Sequence, residues 1–100
     1  MAVYITLYKL TEQGIRDIKG GPKRIKDGIA AWEATGGKMI GFYATQGEWD
    51  YVAIAESNDE EGASAFTLAL GAMGYVRTTT MRAFTVEEFT RIVSKIPKMG

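Results

Sequence analysis

The sequence predicts an α+β domain: one four-stranded antiparallel sheet with helices on one face and an extra C-terminal helix. Three observations carry this. Four stretches alternate side chains with period two, as strands do. Two longer stretches between them carry apolar residues at helical spacing. Their order is strand, helix, strand, strand, helix, strand. One hundred residues suit a single domain, 1–100, with a two-layer core.

The first strand is read over Val3 to Leu10, with Val3, Ile5 and Leu7 on one face and Tyr4, Thr6 and Tyr8 on the other. After the turn at Thr11-Glu12-Gln13-Gly14, apolar residues recur at Ile15, Ile18, Ile25, Ile29 and Trp32. Gly20-Gly21 interrupts that run and Pro22 suits a helix start, so a short turn near 15–19 precedes a main helix from Pro22 to about Thr35. Gly36-Gly37 supplies a left-handed C-cap. Lys38 to Gln46 and Asp50 to Ser57 read as a hairpin around Gly47. An odd-numbered loop there places Ile40, Phe42, Val52 and Ile54 on one face. Asn58 and Glu61 form a capping arrangement for a second helix, with Phe66, Leu70 and Met73 as its buried stripe and Gly74 at its close. Tyr75 to Phe84 is the fourth strand. Thr85 and Glu88 make a capping box for the last helix, with Phe84 and Phe89 as the matching hydrophobic staple.

This is the split βαβ, or ferredoxin-like, order, in which both crossover helices share one side of the sheet. The other side is left bare by the chain itself.

Composition narrows the chemistry. The chain is 46% hydrophobic and 24% charged, with twelve basic and twelve acidic residues. A nucleic-acid binder needs a basic excess to neutralise phosphates, and none is present. With no cysteine and no histidine, thiolate and imidazole metal sites, histidine-ligated haem and every Ser-His-Asp triad are excluded. No metal or cofactor is expected. No stretch approaches the length of a membrane span, and Met1 to Leu10 lacks the basic start of a signal peptide, so a cytoplasmic protein is expected.

The aromatic residues sort by polarity. Val3, Ile5, Leu7, Ile40, Phe42, Val52 and Ile54 are assigned to the faces turned toward the helices. Tyr4, Tyr8, Tyr43 and Tyr51 are assigned to the opposite, open faces. With Met39, Thr6, Thr45 and Trp49 they form a broad semi-apolar patch, which monomers rarely leave open. Either the last helix covers it, or a second copy of the chain does, with any leftover space serving as a pocket.

The run Tyr43-Ala-Thr-Gln-Gly-Glu-Trp-Asp50 resembles the signature of the GYD domain family. Thr11-Glu-Gln-Gly14, Pro22-Lys-Arg24, Gly36-Gly37, Gly74-Tyr-Val-Arg-Thr78 and Arg82-Ala-Phe84 extend the resemblance over roughly residues 3 to 90. Trp49 stands where the family has tyrosine. The resemblance implies a dimeric α/β barrel and no established activity. Enzymes and effector-binding modules share that architecture, so the fold does not choose a function.

Asp50, at the mouth of the hairpin, fits a general base desolvated by Trp49 and Tyr51, and equally a turn carboxylate accepting backbone N–H groups. Arg77 and Arg82 point to opposite faces of the fourth strand, so one of them reaches the open face, for a ligand anion or a dimer salt bridge. Lys19, Lys23, Arg24 and Lys26 around Gly20-Gly21-Pro22 form either an anion cradle or a solvated basic edge. Two functions follow. One is an oligomerising module that binds a small apolar or aromatic ligand between facing sheets, lined by Tyr4, Tyr8, Tyr43, Trp49, Tyr51, Arg77 and Arg82. The other is a cofactor-independent monooxygenase or isomerase with Asp50 as base, Tyr8 or Tyr43 as acid and an arginine for the anion. The expected partners are a second copy and a small molecule, with neither nucleic acid nor membrane.

Overall fold

The computed structural model describes residues 1–99. The elements are β1 (Ala2–Leu10), α1 (Glu12–Arg16), a 3-10 turn (Ile18–Gly20), α2 (Gly21–Ala34), β2 (Lys38–Ala44), β3 (Tyr51–Ser57), α3 (Glu60–Met73), β4 (Val76–Ala83) and α4 (Val86–Ser94). The strands form one four-stranded sheet in the order β2-β3-β1-β4, with each neighbouring pair antiparallel. This is the ferredoxin-like arrangement. Both α2 and α3 contribute to the cluster built on Tyr8, Tyr51 and Ala53, through Ile25 and Leu70, so they lie on the same face.

Local chemistry ends the elements where the sequence marks them. Gly36, just past α2, has φ +92, and Gly74 caps α3 with φ +87. Thr85 accepts from the Glu88 backbone N–H while the Glu88 carboxylate accepts from the Thr85 N–H, completing the capping box of α4. The N-cap of α3 is Asp59 rather than Asn58: its carboxylate accepts from Gly62 N at 2.9 Å. Phe84 and Phe89 are both more than half exposed, and Phe84 meets the Arg82 guanidinium at 4.5 Å.

The sheet faces are the reverse of the sequence expectation on β1 and β3. Tyr8 lies directly opposite Tyr51, and Thr6 opposite Ala53. All four are buried, under the helices. Tyr4 shares that face through its pairing with Ala55. Val3, Ile5, Leu7, Val52 and Ile54 therefore form the face turned away from α2 and α3. The physical reason lies on β3, whose inward row is Tyr51, Ala53, Ala55 and Ser57. Three small residues there let the helices approach, and the large rings fill the remaining depth. The aliphatic row has no such relief.

The hairpin loop explains the rest of the inversion. It runs over Thr45–Asp50, an even-numbered loop, so Ala44 pairs with Tyr51. A bulge between Met39 and Gly41 then shifts parity within β2. Phe42 thus opposes Ala53 on the helix side, away from Val52 and Ile54, and Ile40 is left 51% exposed at the bulge.

α4 buries none of its residues. The chain measures 56 × 30 × 21 Å with a radius of gyration of 15.8 Å, against about 13 Å for a compact chain of this length. The last helix projects as an arm on which Phe89, Ile92 and Val93 are exposed, with Ile96 exposed just beyond it.

Candidate functional site

α2 lies nearer β2 and α3 nearer β4, leaving the central strands under the gap between them. The helices meet edge-on at Trp32 and Phe66, whose ring centroids are 5.2 Å apart. Away from that contact a cavity of about 390 Å³ opens between helices and sheet. Its floor is Tyr8, Leu10, Met39, Phe42, Tyr51 and Val76; its walls include Ile25, Gly28 and Ile29 of α2 and Phe66, Ala69, Leu70 and Met73 of α3. On the floor, the rings of Tyr8, Phe42 and Tyr51 lie within 5.5 to 6.0 Å of one another in tilted and edge-on contacts.

Tyr8 and Tyr51 are 9% and 8% exposed. Among the described residues neither phenol oxygen has a hydrogen-bond partner, and neither is sealed from open space, unlike the enclosed and unpaired Nε1 of Trp32. Burial pushes the Tyr8 phenol up to about 12, because the phenolate would lose its hydration. At the rim, Arg24 donates to an Asp17 carboxylate oxygen at 2.6 Å and lies 4.0 Å over the Tyr75 ring. Lys23 pairs with Asp27, so two of the four cations around Gly20-Gly21-Pro22 are already matched.

Asp50 belongs to the loop, and its side chain is used there. Its carboxylate accepts from Leu10 N at 2.8 Å, and its own N–H donates to Tyr8 O at 2.8 Å. Its carbonyl accepts from Thr45 N at 2.8 Å, so one residue ties the hairpin mouth to β1. Asp50 is not among the residues lining the cavity. Trp49 lies outside it as well, with the Lys9 ammonium 5.4 Å from its ring centroid.

The remaining candidates are dispersed. Arg82 opposes Tyr4 on the helix side, its guanidinium 6.0 Å from that ring, beside a shallow polar depression with Ser57, Asn58 and Glu60. Arg77 opposes Lys9 and therefore shares the open face with Leu7. Tyr43 opposes Val52 there and is 59% exposed. The structure thus brings Tyr8 and Tyr51 together in one cavity, places Tyr43 and Arg77 on the open face, and leaves Tyr4, Arg82 and Trp49 elsewhere.

Residues 4–93 match the family model of the GYD domain. The chain belongs to the GYD domain family. A relative from Thermus thermophilus, named "Glutamine synthetase and cystathionine beta-lyase binding protein", is 30% identical over 89 residues, covering 88% of this chain and 94% of the relative. Among solved structures, the crystal structure of FFRP-DM1 superimposes with a TM-score of 0.59 at 17% identity, covering 84% of this chain and all of that one. That likeness concerns the fold alone. No helix of this GYD domain, among the described residues, is long and apolar enough to cross a membrane.

The α2 and α3 residues of the cavity escaped the sequence reading of this GYD domain, which placed any pocket between facing sheets. One signal was present. Gly28 falls in the middle of α2 on the same face as Ile25 and Trp32, where a glycine removes volume from a packed side.

Proposed function

We propose that this GYD domain is a self-associating protein-binding module that pairs two copies through the open face of its sheet. The observation that supports this is the row of Val3, Ile5 and Leu7 on β1 beside Val52 and Ile54 on β3, continued by Met81 and Tyr43. These side chains face away from α2 and α3. A face of this composition is stable when another apolar surface excludes water from it. A second copy offers the same surface related by a two-fold axis, the commonest symmetry of small oligomers. Stable interfaces bury roughly 1,200–2,000 Å² in total, within reach of two such sheets. The arm α4 extends the same reading, since its apolar stripe needs cover that its own chain does not provide.

The relative's printed name describes a binding protein for two enzymes. By analogy, we take the partners of this chain to be proteins, with self-association presenting two copies of the binding surface. The reading assigns no reaction to Asp50.

Sedimentation velocity at micromolar concentration tests the pairing. The unaltered chain is expected to sediment as a dimer or an assembly of dimers, and Ile5→Glu or Ile54→Glu as a folded monomer, because each buries a charge in the interface. A monomeric unaltered chain would overturn the reading.

A further inference from the structure

We propose that the cavity beneath α2 and α3 binds a small, mostly apolar molecule with a hydrogen-bond-accepting oxygen at one end, and that the phenols of Tyr8 and Tyr51 donate to that oxygen. This goes beyond the self-association reading and does not depend on it, since the cavity lies on the other side of the sheet.

Three features support it. The first is size: about 390 Å³ falls within the range of roughly 300–1,000 Å³ typical of small-molecule sites. Part of that space exists because α2 carries glycine at position 28, where a Cβ would find nothing within 4 Å. The second is the pair of phenols. Buried tyrosine hydroxyls normally find a partner, and leaving one unpaired is costly. Both residues are nine-tenths buried and line the cavity, and neither phenol oxygen has a partner among the described residues. Water alone would satisfy the two oxygens but would also wet the apolar walls of Ile25, Phe42, Phe66 and Leu70. A molecule with an apolar body and one polar end satisfies both.

The third feature sets the polarity of that end. Burial keeps the Tyr8 phenol protonated, so its O–H is available to donate to a ligand oxygen. A Cβ on Gly21 would lie 3.3 Å from the Tyr51 hydroxyl, which places this oxygen at the start of α2. No side chain caps that helix end. The Gly21 N–H is taken by the Ile18 carbonyl and Pro22 has none, so it is the positive end of the helix dipole that favours an acceptor or an anion over a cation there. Arg24 at the mouth is already matched by Asp17, so recognition falls to the phenols.

Calorimetric titration with decanoate, 2-decanone and decylammonium tests the site. Decanoate and 2-decanone share the accepting oxygen, and comparing them tells a charged head from a neutral one. At least one of them is expected to bind about tenfold or more tighter than decylammonium, which only donates. Tyr8→Phe and Tyr51→Phe keep both rings and are expected to weaken binding by roughly 3- to 10-fold each. Gly28→Leu is expected to fill the space and abolish binding, with the far-ultraviolet dichroism of the unaltered protein. The proposal is overturned if neither acceptor probe binds at millimolar concentration. It is equally overturned if decylammonium binds as well as they do, or if the double Tyr→Phe variant binds unchanged. A folded Gly28→Leu variant that still binds would also end it. Should that variant fold poorly, the Tyr→Phe pair decides.

Discussion

Gly14→Ala and Gly28→Ala make the same chemical change in helices yet should move stability in opposite directions. At Gly14 an added Cβ would lie 2.1 Å from the Tyr75 carbonyl oxygen and 2.9 Å from Leu10 Cδ2. The oxygen has little freedom to yield. It accepts from Thr11 N at 3.0 Å, while Thr11 Oγ1 donates to the adjacent Gly74 carbonyl at 2.5 Å. Relief therefore means moving the start of β4 or opening the Thr11 latch. Overpacking of this kind costs about 1–3 kcal/mol, against about 0.5–1 kcal/mol returned by replacing a helical glycine. We expect a net loss of about 1–2 kcal/mol, or roughly 5–15 °C in Tm for a domain of this size. At Gly28 the Cβ meets open space, so the change should gain about 0.5–1 kcal/mol. Urea unfolding of all three proteins at one fixed concentration measures both, since self-association makes stability concentration-dependent. If Gly14→Ala proves as stable as the unaltered protein, the tight contact between α1 and the Tyr75 carbonyl that leads into β4 does not hold in solution.

The phenol of Tyr8 sets a pH dependence. Its raised value of about 12 means the folded state stays protonated while the unfolded chain ionises near 10. The stabilisation is complete below pH 10 and fades between 10 and 12, by up to about 2.7 kcal/mol. Tyr8→Phe should therefore lose less stability across that window in pH-dependent urea titrations; equal losses would argue against a desolvated phenol. Asp50→Asn should lower the unfolding midpoint by about 1 kcal/mol, because a neutral amide accepts less strongly from Leu10 N. Thr85→Ala should cost α4 about 1 kcal/mol, read as faster amide exchange at Phe89 to Val93. The global midpoint should move less, because α4 buries nothing in its own chain.

Local structure was legible in the order of residues. Periodicity located every strand, and Thr85, Glu88, Gly36 and Gly74 fixed helix ends through hydrogen bonds and backbone angles within a few residues. Element order then implied the sheet topology, because short connections leave few alternatives. Which side of the sheet the helices cover was settled by packing between elements. β1 is apolar on both faces, with Val3, Ile5 and Leu7 on one and Tyr4, Tyr8 and Leu10 on the other, so period two alone cannot orient it. The choice rests on Ala53 and Ala55 of β3, which give the helices room only on the tyrosine side. The loop parity was likewise set from a distance, by the Asp50 carboxylate holding Leu10 N across 40 residues of sequence. The cavity is the furthest from local chemistry, since it is the space left where α2 and α3 diverge from their contact at Trp32 and Phe66. Its volume depends on how packed elements diverge, and no single segment encodes that.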